Sequence, residues 1–102
     1  MLTSITQGEI VHSSETIKLE DLGSVGILRV LETVTKQGII NISHLSRKTG
    51  LNHTDVDRHV KKLVKLGLVE EWWYGALRMI SPSFDSLAVV FKKGLGVKIV
   101  CT

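Results

Sequence analysis

The stretch IINISHLSRKTGLNHTDVDRHVKKLVKLGLVEEW, residues 39–72, decides the fold of this chain. Its apolar residues recur at helical spacing, stop at Gly50, resume at helical spacing and stop again at Gly67. A strand-like run follows the second glycine. Two short helices joined by a tight turn leave the polar face of the second helix open to solvent. The pattern therefore predicts two packed helices followed by a strand.

Capping residues and glycines mark the helix ends within this stretch. Ile39–Ile42 is predicted to be extended, and Ser43 is predicted to cap the helix that follows. Gly50 supplies the positive φ that a tight corner between helices needs. Asn52 is predicted to cap the next helix, which runs to about Leu66. The buried line of that helix is predicted to comprise Val56, Val60, Leu63 and Leu66.

A further helix is predicted before this stretch. Apolar residues between positions 22 and 34 form a broad stripe at helical spacing, and Gly38 follows as the residue that ends the helix. The helix begins at Asp21 or as late as Ser24, since serine is a good N-cap.

A hairpin and a last helix are predicted after the stretch. Leu68–Trp73 and Ala76–Ile80 are strand-like runs on either side of Tyr74–Gly75, which is a hairpin signal. Pro82 suits a first helical turn, and the apolar residues after it have helical spacing, so residues 82–93 predict a helix. The apolar face of this last helix comprises Phe84, Leu87, Ala88, Val90 and Phe91.

These elements predict one domain with a segment on either side. Residues 1–19 are predicted to be a loose arm with at most one short strand, at 10–11 or 16–19. Residues 20–94 form the domain, and residues 95–102 are a tail whose loose alternation is compatible with a strand. The fold class is mainly α with a small β-hairpin (α+β), in the order helix, helix, helix, hairpin, helix.

The composition is that of an ordinary globular domain. The chain has 102 residues, of which 43 % are hydrophobic and 23 % are charged. No apolar run approaches the ~20 residues that a membrane-spanning helix needs. The N-terminal residues lack the basic flank and apolar stretch of a signal peptide. A cytoplasmic protein without a membrane segment is therefore expected.

The charge is uneven along the chain, whose formal net charge is +3. Residues 1–57 contain 5 cations and 7 carboxylates, whereas residues 58–102 contain 8 cations and 3 carboxylates. The positive half begins inside the third predicted helix, where neutralisation of nucleic-acid phosphates would need it. A solvated lysine face explains the same charges equally well.

The order of the elements and their turn residues resembles the winged helix-turn-helix regulators of archaea and bacteria, of the broad MarR-like and ArsR-like kind. The resemblance covers roughly residues 20–94. It rests on Ile42–Leu51 for the second helix and turn, on Asn52–Leu63 for the recognition helix, and on Leu66–Glu70 and Ile80–Ser83 for the two ends of the hairpin, which is the wing of that family.

The resemblance implies a DNA-binding surface. In such proteins the recognition helix, here about residues 52–66, enters the major groove, and the wing follows the phosphate backbone. Carried over by position, the groove-facing residues are His53, Thr54, Asp57, Arg58 and Lys61. The residues expected to contact phosphates are Arg47, Lys48, Lys61, Lys62 and Lys65, with Arg78 as the one cation of the wing.

Two features depart from a simple phosphate-binding surface. Asp57 either accepts a hydrogen bond from cytosine N4 or pairs with Arg58 or Lys61 and orients that cation. The wing carries Glu70–Glu71 and the aromatic run Trp72–Tyr74. Alternation along the strand predicts that one of the two tryptophans is in the core and that the other is exposed.

The function predicted from these residues is that of a sequence-specific, double-stranded-DNA-binding transcriptional regulator. Surplus apolar surface predicts a homodimer formed through the first and last helices. The alternative is a winged helix used as a protein–protein interaction module in a transcription or replication assembly, which the acidic, aromatic wing favours. No catalytic constellation, cofactor motif or metal-ligand set is apparent, so we expect no enzyme, no cofactor and no metal. The single Cys101 is expected to be an incidental thiol or, less readily, a bridge between subunits.

Overall fold

The computed structural model describes residues 17–102. These residues belong to two compact units, one of residues 23–83 and one that includes residues 17–22 and 84–102. The predicted arm therefore lies almost wholly outside the described residues, and the strand suggested at 10–11 lies outside them altogether. Of the alternative strand at 16–19, the described residues 17–19 are not a strand, because Leu19 opens a short 3-10 helix, Leu19–Leu22.

Helix α1, Val25–Gln37, opens the larger unit. The Ser24 hydroxyl accepts a hydrogen bond from the Ile27 amide at 3.1 Å, which confirms the later of the two predicted starts. The helix ends at Gly38, whose φ is 80°. Its buried face comprises Ile27, Val30, Leu31 and Val34.

Helix α2, Ile42–Thr49, begins two residues earlier than predicted. Asn41 rather than Ser43 is its N-cap, because the Asn41 side chain accepts the hydrogen bond of the His44 amide at 2.9 Å. Asn41 also ends the short strand β1, Ile40–Asn41. At the other end Gly50 adopts the left-handed conformation, with φ 76°, and this confirms the predicted corner.

Helix α3, His53–Lys65, is capped by Asn52, whose side chain accepts from the Asp55 amide at 2.8 Å. Three of the four residues predicted for its inner line are fully buried, and Leu66, the C-cap residue, is half-buried. Helices α1, α2 and α3 pack on one another around a core that includes Val30, Val34, Leu45, Val56, Val60 and Leu63.

A three-stranded antiparallel sheet completes this unit. Strand β2, Val69–Tyr74, pairs with β3, Leu77–Pro82, and β3 also pairs with β1, so the order is β1-β3-β2. The predicted hairpin is confirmed, and Ile80 of its second strand is fully buried. This β2–β3 hairpin is the wing.

The predicted last helix at 82–93 is wrong. Residues after Ser83 form a second antiparallel hairpin from β4, Leu87–Lys92, and β5, Gly96–Cys101. Leu87, Val89 and Phe91 alternate along β4 and pair with apolar residues of β5. The order of elements therefore ends in a hairpin, and no dimer interface can use a last helix. The strand suggested for the tail is confirmed as β5.

Candidate nucleic-acid interface

The polar face of α3 lies opposite its buried line and is open to solvent. Its first turn exposes His53 and Thr54, and its later turns expose Arg58 and the lysines at 61, 62 and 65. The N-cap at Asn52 fixes where this face begins, and the buried valines fix its direction. The structure thus puts the polar and cationic side chains predicted for the recognition helix on one accessible surface.

Arg58 is held in place by a carboxylate of the same helix. Its Nη2 atom lies 2.8 Å from Oδ1 of Asp55, and its side chain is 65 % exposed. An exposed pair of this kind is worth about 0–1 kcal/mol, so a guanine edge or a phosphate can replace Asp55 at small cost.

Asp57 bridges the helix and the wing. One carboxylate oxygen lies 3.1 Å from Nζ of Lys61 and the other accepts from Nη1 of Arg78 at 2.5 Å. The hydrogen bonds from Arg78 and Lys61 lower the pKa of Asp57. Of the two α3 cations predicted as its partner, the structure shows Lys61 and not Arg58.

Arg78 is enclosed between two carboxylates. Its Nε donates to Glu71 at 2.7 Å while its Nη1 reaches Asp57, and its side chain is only 15 % exposed. Burial lowers the pKa of Arg78, but the hydrogen bonds to Asp57 and Glu71 outweigh it, so the pKa is raised. Glu71 lies directly opposite Ile80 in the β2–β3 ladder. Arg78 is two residues before Ile80, so it is on the same face of the sheet and diagonally opposite Glu71. The wing cation is therefore occupied in joining the wing to α3.

An open groove separates the wing from the helix starts. It has a volume of about 470 Å³ and is lined by the first residues of α2 and α3 and by the wing tip. His53 and Thr54 form one side of it, Trp73 and Leu77 the other, and the Asp57–Arg78 pair also lines it. The groove gives polar side chains of α3 and an aromatic side chain of the wing access to one ligand.

The aromatic run of the wing is exposed along its whole length. Trp72 is 37 % exposed, Trp73 is 66 % exposed and Tyr74 is 73 % exposed. The prediction that one tryptophan lies in the core is wrong. Val69, Glu71 and Trp73 share one face of β2, and only Val69, at the start of the strand, is buried. By Trp73 the same face borders the groove.

The position of α3 on α1 depends on a glycine in the first turn of α1. A Cβ atom at Gly26 would collide with Nε2 of His59, so the imidazole fills the space that the missing side chain leaves. Burial, followed by the charge of Arg58, lowers the pKa of His59. Gly26 and His59 are 33 positions apart, so the sequence of neither helix alone predicts that they are in contact.

The end of α2 presents two further cations. Arg47 and Lys48 are exposed beside a corner held by hydrogen bonds from Ser46 to the Leu51 carbonyl and from Thr49 to the Leu45 carbonyl, at 2.6 and 2.8 Å. These bonds satisfy two buried hydroxyls and fix the angle between α2 and α3.

Neither a metal centre nor a membrane-spanning helix is found within residues 17–102. Among these residues no group of three His, Cys, Asp or Glu side chains is placed to hold a metal ion. None of the described helices is long and apolar enough to cross a membrane.

One family of known proteins matches the helical part of the domain. Residues 27–70 match the family described as winged helix-turn-helix DNA-binding, which covers α1, α2, α3 and the start of the wing. This match confirms the resemblance drawn from the sequence. No curated protein matches the chain.

Two solved structures of a Mycobacterium bovis fragment, 1–100, share the fold. The crystal structure of a possible transcriptional regulatory protein has a TM-score of 0.57 and 24 % identity, over 62 % of this chain and 67 % of that one. The solution structure of a homodimeric winged helix-turn-helix DNA-binding domain, a possible ArsR-family regulator, has a TM-score of 0.57 and 23 % identity, over 63 % of this chain and 58 % of that one.

Proposed function

We propose that this chain, in which residues 27–70 match the winged helix-turn-helix DNA-binding family, is a sequence-specific transcriptional regulator that binds double-stranded DNA as a dimer. The observation that carries the proposal is the exposed polar face of α3. That face begins at a well-formed N-cap and lies opposite a fully buried line, which is the geometry needed to enter a major groove.

The residues of α3 and α2 divide into two roles in this proposal. His53, Thr54 and Arg58 face the bases, because a guanidinium fork can hold O6 and N7 of guanine and a hydroxyl can bond a base edge. The cations that contact phosphates are Arg47, Lys48, Lys61, Lys62 and Lys65.

We assign Asp57 and Arg78 to positioning. Arg78 is 15 % exposed and has two carboxylate partners, so reaching a phosphate would require it to leave both. The Asp57–Arg78 pair instead holds the wing against α3 and sets the width of the groove between them.

The test of DNA binding is a fluorescence-anisotropy titration with a duplex selected from a random pool and with a random duplex as reference. We expect Arg58→Ala to weaken binding to the selected duplex by about 5- to 150-fold, which corresponds to ~1–3 kcal/mol, and to relax the preference at one base pair. Lys65→Ala should weaken binding to both duplexes alike and reduce the salt slope by about 1.

Lys18→Ala is the matched control, since Lys18 is an exposed lysine outside α1, α2 and α3. It should change neither affinity nor preference. Binding by the parent that is indifferent to Arg58 and Lys65, or no binding at low salt, would overturn the proposal.

The dimer is proposed through the outer face of α1. Val25 and Leu28 lie one helical turn apart there and are 68 % and 52 % exposed. A two-fold axis would place two recognition helices about 34 Å apart, one DNA turn. Sedimentation at micromolar concentration should show a dimer that Leu28→Glu dissociates and that Gln37→Glu, at the exposed last residue of α1 on the opposite side of the helix, leaves intact. A monomeric parent would contradict this part of the proposal.

The alternative function is a protein-interaction module, and the exposed aromatic wing is the observation that favours it. Trp73 and Tyr74 present large apolar surface, and the wing has no cation free of a carboxylate in the described structure. If Trp73→Ala and Tyr74→Ala leave DNA binding unchanged but abolish capture of a specific protein, and Arg58→Ala does not affect that capture, this alternative replaces the first proposal.

A further inference from the structure

The β4–β5 hairpin has a cationic end. Lys92 is the last residue of β4, Lys93 is in the turn, and all three lysines of the hairpin are exposed. The register pairs Lys92 with Gly96 and Val90 with Lys98, so Lys92 and Lys98 lie diagonally opposite on the same face. Three positive charges are therefore gathered within a few residues of one turn.

No carboxylate of the hairpin balances these charges. Residues 86–102 contain neither Asp nor Glu, and Asp85 precedes β4, where its amide donates to the Thr102 carbonyl at 2.7 Å. Within residues 17–102 no ion pair is found for Lys92, Lys93 or Lys98. By contrast, Lys61 on α3 shares the carboxylate of Asp57. Among residues 17–102, therefore, no carboxylate is paired with the lysines of the hairpin end.

The two faces of the hairpin differ in polarity. The face opposite Lys92 and Lys98 is apolar throughout and comprises Leu87, Val89, Phe91, Val97, Ile99 and Cys101. Gly94 in the turn and Gly96 at the start of β5 both have positive φ, and a Cβ atom at either would meet nothing within 4 Å. A cationic edge beside an open glycine turn suits close approach to a phosphate backbone, whereas it offers few groups that could read a base edge.

We propose that the lysine cluster of Lys92, Lys93 and Lys98 is a second duplex-DNA contact, which binds the phosphate backbone and does not read base sequence. This inference rests on the proposed function of the chain. It assigns to the β4–β5 hairpin the role that the resemblance gave to the wing. Lysine ammonium groups act as point charges toward phosphates, and each phosphate neutralised releases counterions.

The test measures how the DNA affinity falls with salt. For the parent and for Lys92→Gln/Lys98→Gln, the association constant for one duplex is determined at several KCl concentrations. Two lost phosphate contacts reduce the slope of log K against log salt by about 1.8, which is roughly 60-fold in affinity at 0.1 M if the curves meet at 1 M. The ratio of affinities for the selected and random duplexes should not change, because phosphate contacts carry no sequence information.

Lys18→Gln/Lys36→Gln is the matched control, since it removes the same net charge at two exposed lysines outside both proposed DNA-contacting surfaces. Sedimentation checks that this variant is still a dimer, because Lys36 lies on the outer face of α1. Its slope should change by less than about 0.5, and far-UV circular dichroism should show that both double variants are folded. Adding Lys93→Gln to the hairpin variant should reduce the slope further.

The outcomes separate this inference from the proposed function. If Arg58→Ala abolishes preference while the hairpin variant retains the parent slope, the inference is wrong and the function stands. If the hairpin and control variants reduce the slope equally, the effect is one of net charge and the inference is again wrong. If the parent binds no duplex at low salt, both fall, and binding of the parent but not the hairpin variant to vesicles of anionic lipid would then assign the lysine cluster to a membrane surface.

Discussion

The β2–β3 and β4–β5 hairpins are each built from two six-residue strands, but the surroundings of their cationic side chains differ. In the wing, Arg78 is enclosed by Glu71 and Asp57 and fixes the hairpin to α3. In the second hairpin, the lysine cluster faces solvent without a carboxylate in the same strands. The number of cations in a hairpin therefore says little about its affinity for phosphates until their partners are known.

The difference also concerns packing. The wing is part of a three-stranded sheet, and its Ile80 and Val69 are buried, whereas the second hairpin is a ribbon of two strands in which Ile99 is the one buried residue. Two-stranded ribbons are marginally stable by themselves. A rigid wing can set the width of the groove beside α3, and a ribbon with a cationic end is suited to a less exact contact such as a backbone phosphate.

The largest expected effect tests whether the wing is part of the core. Ile80→Ala should lower the free energy of unfolding by about 2–5 kcal/mol, because it removes a fully buried side chain and leaves a cavity between sheet and helices. Urea unfolding followed by circular dichroism at 222 nm measures the loss. Leu77→Ala, in the same strand at 47 % exposure, should cost less than about 1 kcal/mol. Equal losses would show that the wing is not anchored as described.

The second effect tests the Arg78 link. Arg78→Gln should lower the free energy of unfolding by about 1–3 kcal/mol, because two carboxylates are left facing each other without their shared cation. Arg58→Gln, which breaks one exposed pair, should cost no more than about 0.5 kcal/mol.

The same variant tests the division of roles between the hairpins. Arg78→Gln should leave the salt slope of DNA binding unchanged, whereas changes to the lysine cluster should reduce it. A double-mutant cycle with Asp57→Asn should give a coupling of at least about 0.5 kcal/mol, as is usual for residues in one network. A reduced slope in Arg78→Gln would return Arg78 to the DNA-contacting set.

The local parts of this fold were predictable from sequence because their signals are local. The caps at Ser24 and Asn52, the corner at Gly50 and the wing turn near Gly75 each depend on a few adjacent residues. Asn41 and Ser43 are both good caps, and only the pairing of β1 with β3 shows that the chain is still extended at Asn41. The polar face of α3 followed from its periodicity.

The second hairpin was not predictable in the same way. Leu87, Val90 and Phe91 fit a helix, while Leu87, Val89 and Phe91 fit a strand, so residues after Ser83 carry both periods. The partner strand β5 decides between them, and its pairing is not local. The Asp57–Arg78 and Gly26–His59 contacts also join residues far apart in sequence, so local patterns could not predict them either. The role of each of these residues depends on the contact that it makes.

The smallest expected effect is a dependence of stability on pH. It tests whether a carboxylate contributes to stability at the wing but not at the lysine cluster of the second hairpin. The folded pKa of Asp57 is lowered by Arg78 and Lys61, so the carboxylate contributes stability above its ordinary value of 3.8 and loses it as the pH falls below that value. The difference in urea midpoint between the parent and Asp57→Asn should be largest near neutral pH and shrink below about pH 4. The difference between the parent and Lys92→Gln/Lys98→Gln should not show this decline, because residues 86–102 contain no Asp or Glu side chain to titrate. A parallel decline in both would mean that the lysine cluster depends on a carboxylate from elsewhere in the chain, and the contrast between the hairpins would then be one of degree.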